Sequence, residues 1–534
     1  MTISFSVPTP VANPHIAVET NPKALKAWLV SLPHANLLET SRAICDALAT
    51  LNRVKIDADT RQKLLEHYQV TIDMLEAPLE QAFTSGSVPM KDKARNSANM
   101  ARALQMELAN GYKLAILDKL EKRFSFGNKQ LPQLFQHLLM TYQKLFWVCC
   151  KCYCPLPPGV WFELHCVFRH VIQHKMIDGP EEAAGNPNMT LGGLYKQILL
   201  LSLADPYRYS TSDLDKIQDL IRNYGAAAQF QPLTVTPNPA GFFLVRLETD
   251  SPPVFLGQRP VDVDSRSAIL LDTLDMAKHL HKALQSVESK AHSVPDKAKA
   301  QAWIDLLKRV IRQWSIAPKR VFQRIRASSL VEVCAGIRSA SFYANGAKAL
   351  LQPVVLDTGI EVSEQGSEGP ATLSGAVVPP PDDWVVLNES PGGYAIRMQP
   401  VPQHCQYRVG DIVGLQSREQ GGWMVAASRW LQVVDEGDAI EMGVQILASK
   451  AEAALIRPTI AHQGTTFQPC LLLPEVVALK QAPLIAAARG TFGPMRELAI
   501  YTDEGEYLVR ATKLIEQAIG FDLFEYMQST GAPG

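Results

Sequence analysis

At 534 residues the chain exceeds what one hydrophobic core usually holds, and three or four domains are the natural expectation. Fifty-two Lys and Arg against 53 Asp and Glu leave a net charge of −1, which argues against bulk polyanion binding, so no DNA or RNA partner is expected. Nine cysteines without a framework spacing, a neutral proline-punctuated start and no apolar run long enough to cross a bilayer predict a reduced, cytoplasmic protein with no membrane span.

The first clear helix opens at Asn21–Pro22, with asparagine as cap and proline at the first helical position, where its missing N–H costs nothing. Trp28 and Leu32 mark its apolar side. Asp59, with Gln62 at capping-box spacing, predicts a second start, and Leu64, Tyr68, Ile72 and Leu75 follow at helical intervals. A further helical run covers Ala98–Leu120, and Leu134, Leu138, Tyr142, Leu145 and Cys149 line another stripe. Leu194–Leu201 reads as a buried helix stopped by the turn Ala204–Asp205–Pro206–Tyr207. Each amphipathic helix must bury one face, so residues 1–227 are expected to form an all-helical domain of antiparallel hairpins.

Between about 228 and 258 the pattern turns to β. Leu233–Val235 and Phe242–Val245 flank the turn residues Pro237–Asn238–Pro239–Ala240–Gly241, which predicts a hairpin. Helix is expected to resume at Asp264, with Leu270, Leu274, Ala277 and Leu284 on one face, then Trp303, Leu307, Val310 and Trp314. Residues 228–315 thus read as a hairpin plus a two-helix brace. Beyond Arg326 short apolar runs appear at Leu330–Val333, Trp384–Leu387, Tyr394–Met398, Ile412–Leu415, Trp423–Ala427 and Val444–Leu447. That spacing predicts an antiparallel barrel over 316–450, interrupted by a Gly-, Ser-, Glu- and Pro-rich loop at about 345–381. Residues 451–534 form a C-terminal β-rich unit, with a hairpin of Leu498–Tyr501 and Tyr507–Val509 around Asp503–Glu504–Gly505. The fold class is therefore α+β multidomain: an all-helical N-terminal domain, an antiparallel β-barrel and a further small β unit.

Two polar segments carry the chemistry. Lys319–Arg320–Val321–Phe322–Gln323–Arg324 places two arginines four residues apart, and guanidinium forks clamp phosphate bidentately and stack on bases. Asn388–Glu389–Ser390–Pro391–Gly392–Gly393 reads as a polar turn that supplies short donors, acceptors and bare backbone, which is what reading a purine edge requires. Together they suggest an anion-binding collar. The structural alternatives for the arginines are a solvated run or pairing with Glu332 or Asp382.

The order Arg320-x-x-x-Arg324, strand, Asn388-x-Ser390-x-x-Gly393, strand, Gly410–Asp411–Ile412–Val413, then Ser428–Arg429–Trp430 and Gly443–Val444–Gln445 resembles the PilZ domain, the bacterial receptor module for cyclic di-GMP. The resemblance spans roughly residues 316–450. It implies that Arg320 and Arg324 wrap the dinucleotide, gripping phosphates and stacking on guanine, while Asn388, Ser390 and Gly393 hold it from the barrel face. Arg326 would be a third cation. Two features set this copy apart: 63 residues lie between Arg324 and Asn388, so an insertion must loop out, and Pro391 removes a backbone donor within the turn.

A second cluster, Cys149–Cys150–Lys151–Cys152–Tyr153–Cys154 with His165, Cys166, His170 and His174, has zinc-ligand residue types. It holds one Cys-x-x-Cys step and no second, and Trp147, Trp161 and Phe168 around it fit a helix–helix core, so no metal is expected. Nucleophile-elbow, phosphate-loop, dinucleotide-fingerprint and His-Glu-x-x-His patterns are all missing, and no enzymatic activity is expected. The resulting expectation is a cyclic di-GMP receptor, without further cofactor, that couples its barrel to a protein partner of unknown identity through the helical domain. The alternative is a non-catalytic scaffold whose degenerate barrel binds no nucleotide.

Overall fold

The computed structural model describes residues 3–11, 18–84, 87–121, 130–183, 185–233, 238–257, 264, 267–291, 297–315, 323–350, 378–402, 406–418, 421–434, 437–460, 466–476 and 481–529. They form two compact units, one of residues 1–86 and 90–319 and one of residues 87–89 and 320–534.

The first unit begins with eight α-helices: α1 (Pro22–Ser31), α2 (Leu37–Leu51), α3 (Ala58–Phe83), α4 (Asp92–Glu121), α5 (Leu131–Lys151), α6 (Val160–Gln173), α7 (Leu191–Leu203) and α8 (Thr211–Tyr224). Asn21 caps α1 as its sequence requires, its side chain accepting from the backbone N–H groups of Lys23 and Ala24. The cap of α3 is Asp57, which accepts from Thr60 N, rather than Asp59, and Gln62 is drawn into the core. Two acidic residues stand within one turn there, and only Asp57 has extended backbone that aims its carboxylate at the orphan amides. Leu64, Tyr68, Ile72 and Leu75 of α3 and Leu134, Leu138, Tyr142, Leu145 and Cys149 of α5 are all buried, each apolar side chain stabilising the fold by about 1.5–3 kcal/mol.

Residues 229–315 belong to the same core. Of the expected hairpin, residues 234–237 lie outside the described residues; β1 (Gln229–Pro232) and β2 (Phe242–Arg246) each pair antiparallel with β4 (Ala268–Asp272), and β3 (Val254–Phe255) adds beyond β2. The strand after Asp264 thus takes Leu270, which the helical spacing had assigned to a helix. Pairing of Ala268–Asp272 with both β1 and β2 overrides that period, with Leu270 and Leu271 both buried, and α9 (Leu274–Lys290) starts only afterwards. In α10 (Lys297–Ser315) Leu307, Val310 and Trp314 are buried as the spacing predicts. Its last turn is pinned: the Trp314 indole donates to Leu200 O at 2.9 Å, Thr273 Oγ1 donates to Trp314 O, and Gly241 N donates to Ser315 O at 2.7 Å.

The second unit carries two closed six-stranded antiparallel barrels. The middle one comprises β6 (Leu330–Ala335), β7 (Asp382–Ser390), β8 (Gly393–Met398), β9 (Ile412–Ser417), β10 (Trp423–Val434) and β11 (Ala439–Ala448), with the short β5 (Ile325–Arg326) added along β7. Pairing runs β7-β6-β9-β10-β11-β8 and returns to β7. Every strand expected in this region is present. A helix between β6 and β7, α11 (Gly336–Ala344), was not anticipated; it packs on β9 and on the strands Glu452–Pro458 and Gln468–Leu473, and Tyr343 stacks on Trp423 at 5.0 Å. The bulk of the expected loop at 345–381 falls at 351–377, outside the described residues.

The C-terminal barrel runs β12 (Glu452–Pro458), β13 (Gln468–Leu473), β14 (Leu484–Ala488), β17 (Phe521–Gln528), β16 (Gly505–Gln517) and β15 (Glu497–Thr502). The hairpin read from sequence is there, with Thr502 opposite Gly505 across Asp503–Glu504. Among the described residues no helix is long and apolar enough to cross a membrane.

Candidate functional site

The polar segment at 388–393 is mostly strand. Asn388, Glu389 and Ser390 end β7, Gly393 opens β8, and the turn is confined to Pro391–Gly392, with Ser390 directly opposite Gly393. Pro391 therefore sits at a two-residue hairpin tip, where the ladder asks for no N–H. Ser390 Oγ donates to Gly393 O at 3.2 Å and tightens the hairpin. Glycine is required at 393 by close approach: a Cβ there would lie 2.0 Å from the Val444 carbonyl oxygen of β11.

Register decides which side chains share a face. Trp384 and Val386 of β7 and Ile396 and Met398 of β8 are fully buried inside the barrel, while Val385 is exposed. A bulge at Leu387 then shifts the alternation, so that Asn388 pairs with Ala395 and faces outward. On the other side of β7, Arg326 pairs with Asn388 and Ile325 with Glu389. Directly opposed residues share a face, and so do residues two apart along a strand. Arg326, Asn388 and Ser390 therefore lie on one outer surface, with Arg324 two residues before Arg326. The 63-residue separation between Arg324 and Asn388 is closed by this pairing. Arg324 and Arg326 are exposed, and neither forms an ion pair among the described residues, with Glu332 and Asp382 included. Arg320 lies outside the described residues.

The same row continues across the barrel as Ala395, Gly443 and Trp430. A Cβ on Gly443 would meet Trp430 Nε1 at 1.8 Å, so the indole lies directly against the glycine. Ala395 and Gly443 are both buried, the latter under the Trp430 ring, so the row runs from an amide and guanidinium groups over two small residues to an aromatic ring. Trp430 and Gly443 are quoted motif residues that sequence reasoning gave no role; small residues at outward positions of adjacent strands are the signal that finds them once the register is known. Arg429, between Ser428 and Trp430, occupies a β-bulge that turns its side chain away from this row. It makes a bidentate pair with Glu516 of β16 and donates from Nε to Gln445 Oε1 at 2.9 Å. Asp411, just before β9, is partly buried, and the loss of solvent pushes its carboxyl up to about 6 against the pull of Arg408.

The cysteine cluster lies in the first unit's core. Cys149, Cys150 and Cys152 are buried, and burial pushes their thiols up, Cys149 to about 12. Such thiols stay protonated, whereas a metal takes the thiolate. His170 and His174 stack at 4.0 Å, with His174 Nδ1 on the His170 carbonyl at 3.0 Å. His165 meets the Tyr195 hydroxyl at 2.6 Å and Ser251 O at 2.9 Å, and burial holds it down to about 4. Among the described residues no three His, Cys, Asp or Glu side chains converge as a metal site.

Comparison with known proteins accounts for nearly the whole chain. Residues 23–235 match the N-terminal domain of the cyclic-di-GMP receptor FimW, and residues 453–529 match the FimW C-terminal β-barrel domain. Residues 242–376 and 379–453 match the FimW middle PilZ domain. The chain belongs to the PilZ-domain family. Within it, the chain is 24% identical to the cyclic-di-GMP receptor FimW of Pseudomonas aeruginosa over 549 aligned residues, which cover 92% of this chain and 88% of that protein. The PilZ match begins at Phe242, inside the first compact unit, so its sequence boundary precedes the barrel itself.

Proposed function

We propose that this chain is a cyclic di-GMP receptor that acts by binding rather than catalysis, with the dinucleotide on the outer face of the middle barrel. The observation that supports it best is the β5–β7 register, which sets Arg326 opposite Asn388 and puts exposed guanidinium groups, without an ion pair among the described residues, on the outer face that carries Asn388 and Ser390. Arg320, Arg324 and Arg326 grip the phosphates and stack on guanine; Asn388 and Ser390 hold base or ribose edges from the strand. Gly393 contributes bare backbone at the hairpin. A dianionic ligand with two purines calls for forked cations and flat stacking surface rather than an enclosed apolar cavity.

The arginine segment follows α10 directly in the chain, and α10 ends on the pinned Trp314. Ligand bound by the arginines of residues 320–326 acts a few residues after the end of α10 in the chain, and the helical domain passes the event to a protein partner in the cytoplasm. No cofactor or metal is needed for this role. Calorimetry with cyclic di-GMP on the full chain and on the Arg320→Ala, Arg324→Ala double variant tests it. Wild type binds and the variant loses affinity at least about a hundredfold; equal binding by both, or none by either, overturns it. A helical domain that captures its partner regardless of nucleotide, from a wild type that binds none, would instead support a scaffold with a degenerate barrel.

A further inference from the structure

Arginines alone leave purine recognition incomplete. They donate to phosphate and to the O6 and N7 acceptors of guanine, but the N1–H and N2–H donors of guanine need an acceptor, and a carboxylate can take two parallel N–H groups at once. One row along the outer face from the Ala395–Gly443 pair, Leu330, Val385, Arg397, Glu441 and Gln432 stand opposite one another on successive strands. Glu441 is two residues before Gly443 on β11, which places it about 7 Å along the strand on the same face.

Arg397 Nη1 donates to Glu441 Oε1 at 3.1 Å, and Arg397 Nη2 donates to Gln399 Oε1 at 3.1 Å, so the guanidinium orients the carboxylate from a second anchor. The two side chains are 27% and 23% exposed, half-desolvated yet open to a ligand. Two other acids of the second unit are committed elsewhere: Glu516 is held by Arg429 at both oxygens, and Asp383 by Arg418 at 2.7 Å. Glu441 Oε2 takes no hydrogen bond from the protein among the described residues.

We propose that Glu441, oriented by Arg397, selects guanine over adenine in the bound dinucleotide by accepting the guanine N1–H and N2–H. This rests on the receptor reading above. Adenine would present its N1 lone pair to the carboxylate, so the same group repels the wrong base.

The test is calorimetry on the full chain with cyclic di-GMP and cyclic di-AMP, for wild type, Glu441→Gln and Glu441→Asp. The glutamine is isosteric, and its melting temperature reports that the barrel stays folded. Expected is wild-type preference for cyclic di-GMP, a loss of about 10- to 100-fold for that ligand in Glu441→Gln with no loss for cyclic di-AMP, and partial recovery in Glu441→Asp. Glu441→Gln that keeps its cyclic di-GMP affinity within about twofold, or weakens both dinucleotides equally, overturns the assignment while leaving the receptor reading intact. A wild type that binds neither dinucleotide overturns both.

Discussion

The two barrels of the second unit share strand number, antiparallel closure and a buried core, yet their outer faces differ in what happens to charge. On the C-terminal barrel three cations meet carboxylates: Arg510 meets Glu497 at 2.6 Å, Lys513 meets Glu525 at 3.3 Å and Arg457 meets Glu506 at 3.6 Å. Its buried Asp522 accepts from Gly490 N, Phe492 N and Gln517 Nε2, at 2.8, 3.0 and 2.9 Å. The middle barrel also pairs Arg397 with Glu441 and Arg418 with Asp383, but at its edge Arg324 and Arg326 are exposed and form no ion pair among the described residues. The middle barrel thus presents a face with unspent donors, and it is on such a face, not on the barrel fold, that the proposed function rests.

The comparison breaks first at the cores, where the barrels should behave alike. Trp384→Ala in the middle barrel and Phe524→Ala in the C-terminal barrel each remove a side chain with no exposure, and each should cost about 3–5 kcal/mol in chemical denaturation. A small cost in either would show that its core is not what holds the barrel.

The faces should separate next. Arg324→Ala with Arg326→Ala should lower cyclic di-GMP affinity about a hundredfold, near 2.7 kcal/mol, with the denaturation midpoint unchanged. These side chains are exposed and unpaired, so their loss is felt by a ligand and not by the fold. A variant that unfolds earlier but binds normally would invert the comparison.

The two units should also part on acidification. His165 in the first unit has a folded value near 4, below its ordinary 6.5, so its contribution is whole above about pH 6.5 and declines as pH falls toward 4. Asp411 in the second unit is raised to about 6, so the fold prefers its protonated form and gains stability as pH falls from 6 toward 4. Between pH 7 and 5, α6 should lose about 2 kcal/mol of hydrogen-exchange protection and β9 should gain about 1 kcal/mol. His165→Gln and Asp411→Asn should flatten the respective trends.

The smallest effect belongs to the C-terminal barrel. Arg510→Ala should cost at most about 1 kcal/mol and leave dinucleotide affinity untouched, because the Arg510–Glu497 pair is well exposed. Weakened binding in that variant would extend the site to the second barrel.

Much of this was legible before the structure. Leu64 to Leu75, Leu134 to Cys149 and Trp303 to Trp314 announce helices because one buried face repeats every three to four residues. Trp384, Ile396 and Val444 mark strands that alternate. The reading failed where two periods overlap, as at Leu270, which fits a helix stripe and a five-residue strand equally well. Local turn residues, likewise, do not say that β4 from further along the chain enters between β1 and β2. Asp57 and Asp59 could not be ranked as caps by residue type alone.

What the sequence by itself determined is the inventory: a helical region, two runs of short strands, and the ordered arginines, Asn388, Ser390 and Gly393 that resemble a PilZ ligand site. Those follow from local periodicity and side-chain chemistry. Only the tertiary structure decided that Arg326 stands beside Asn388, that a bulge at Leu387 turns Asn388 outward, and that Ala395, Gly443 and Glu441 lie along the same surface. Strand register is a pairing between distant segments, and a slip of one residue would send every one of these side chains to the opposite face.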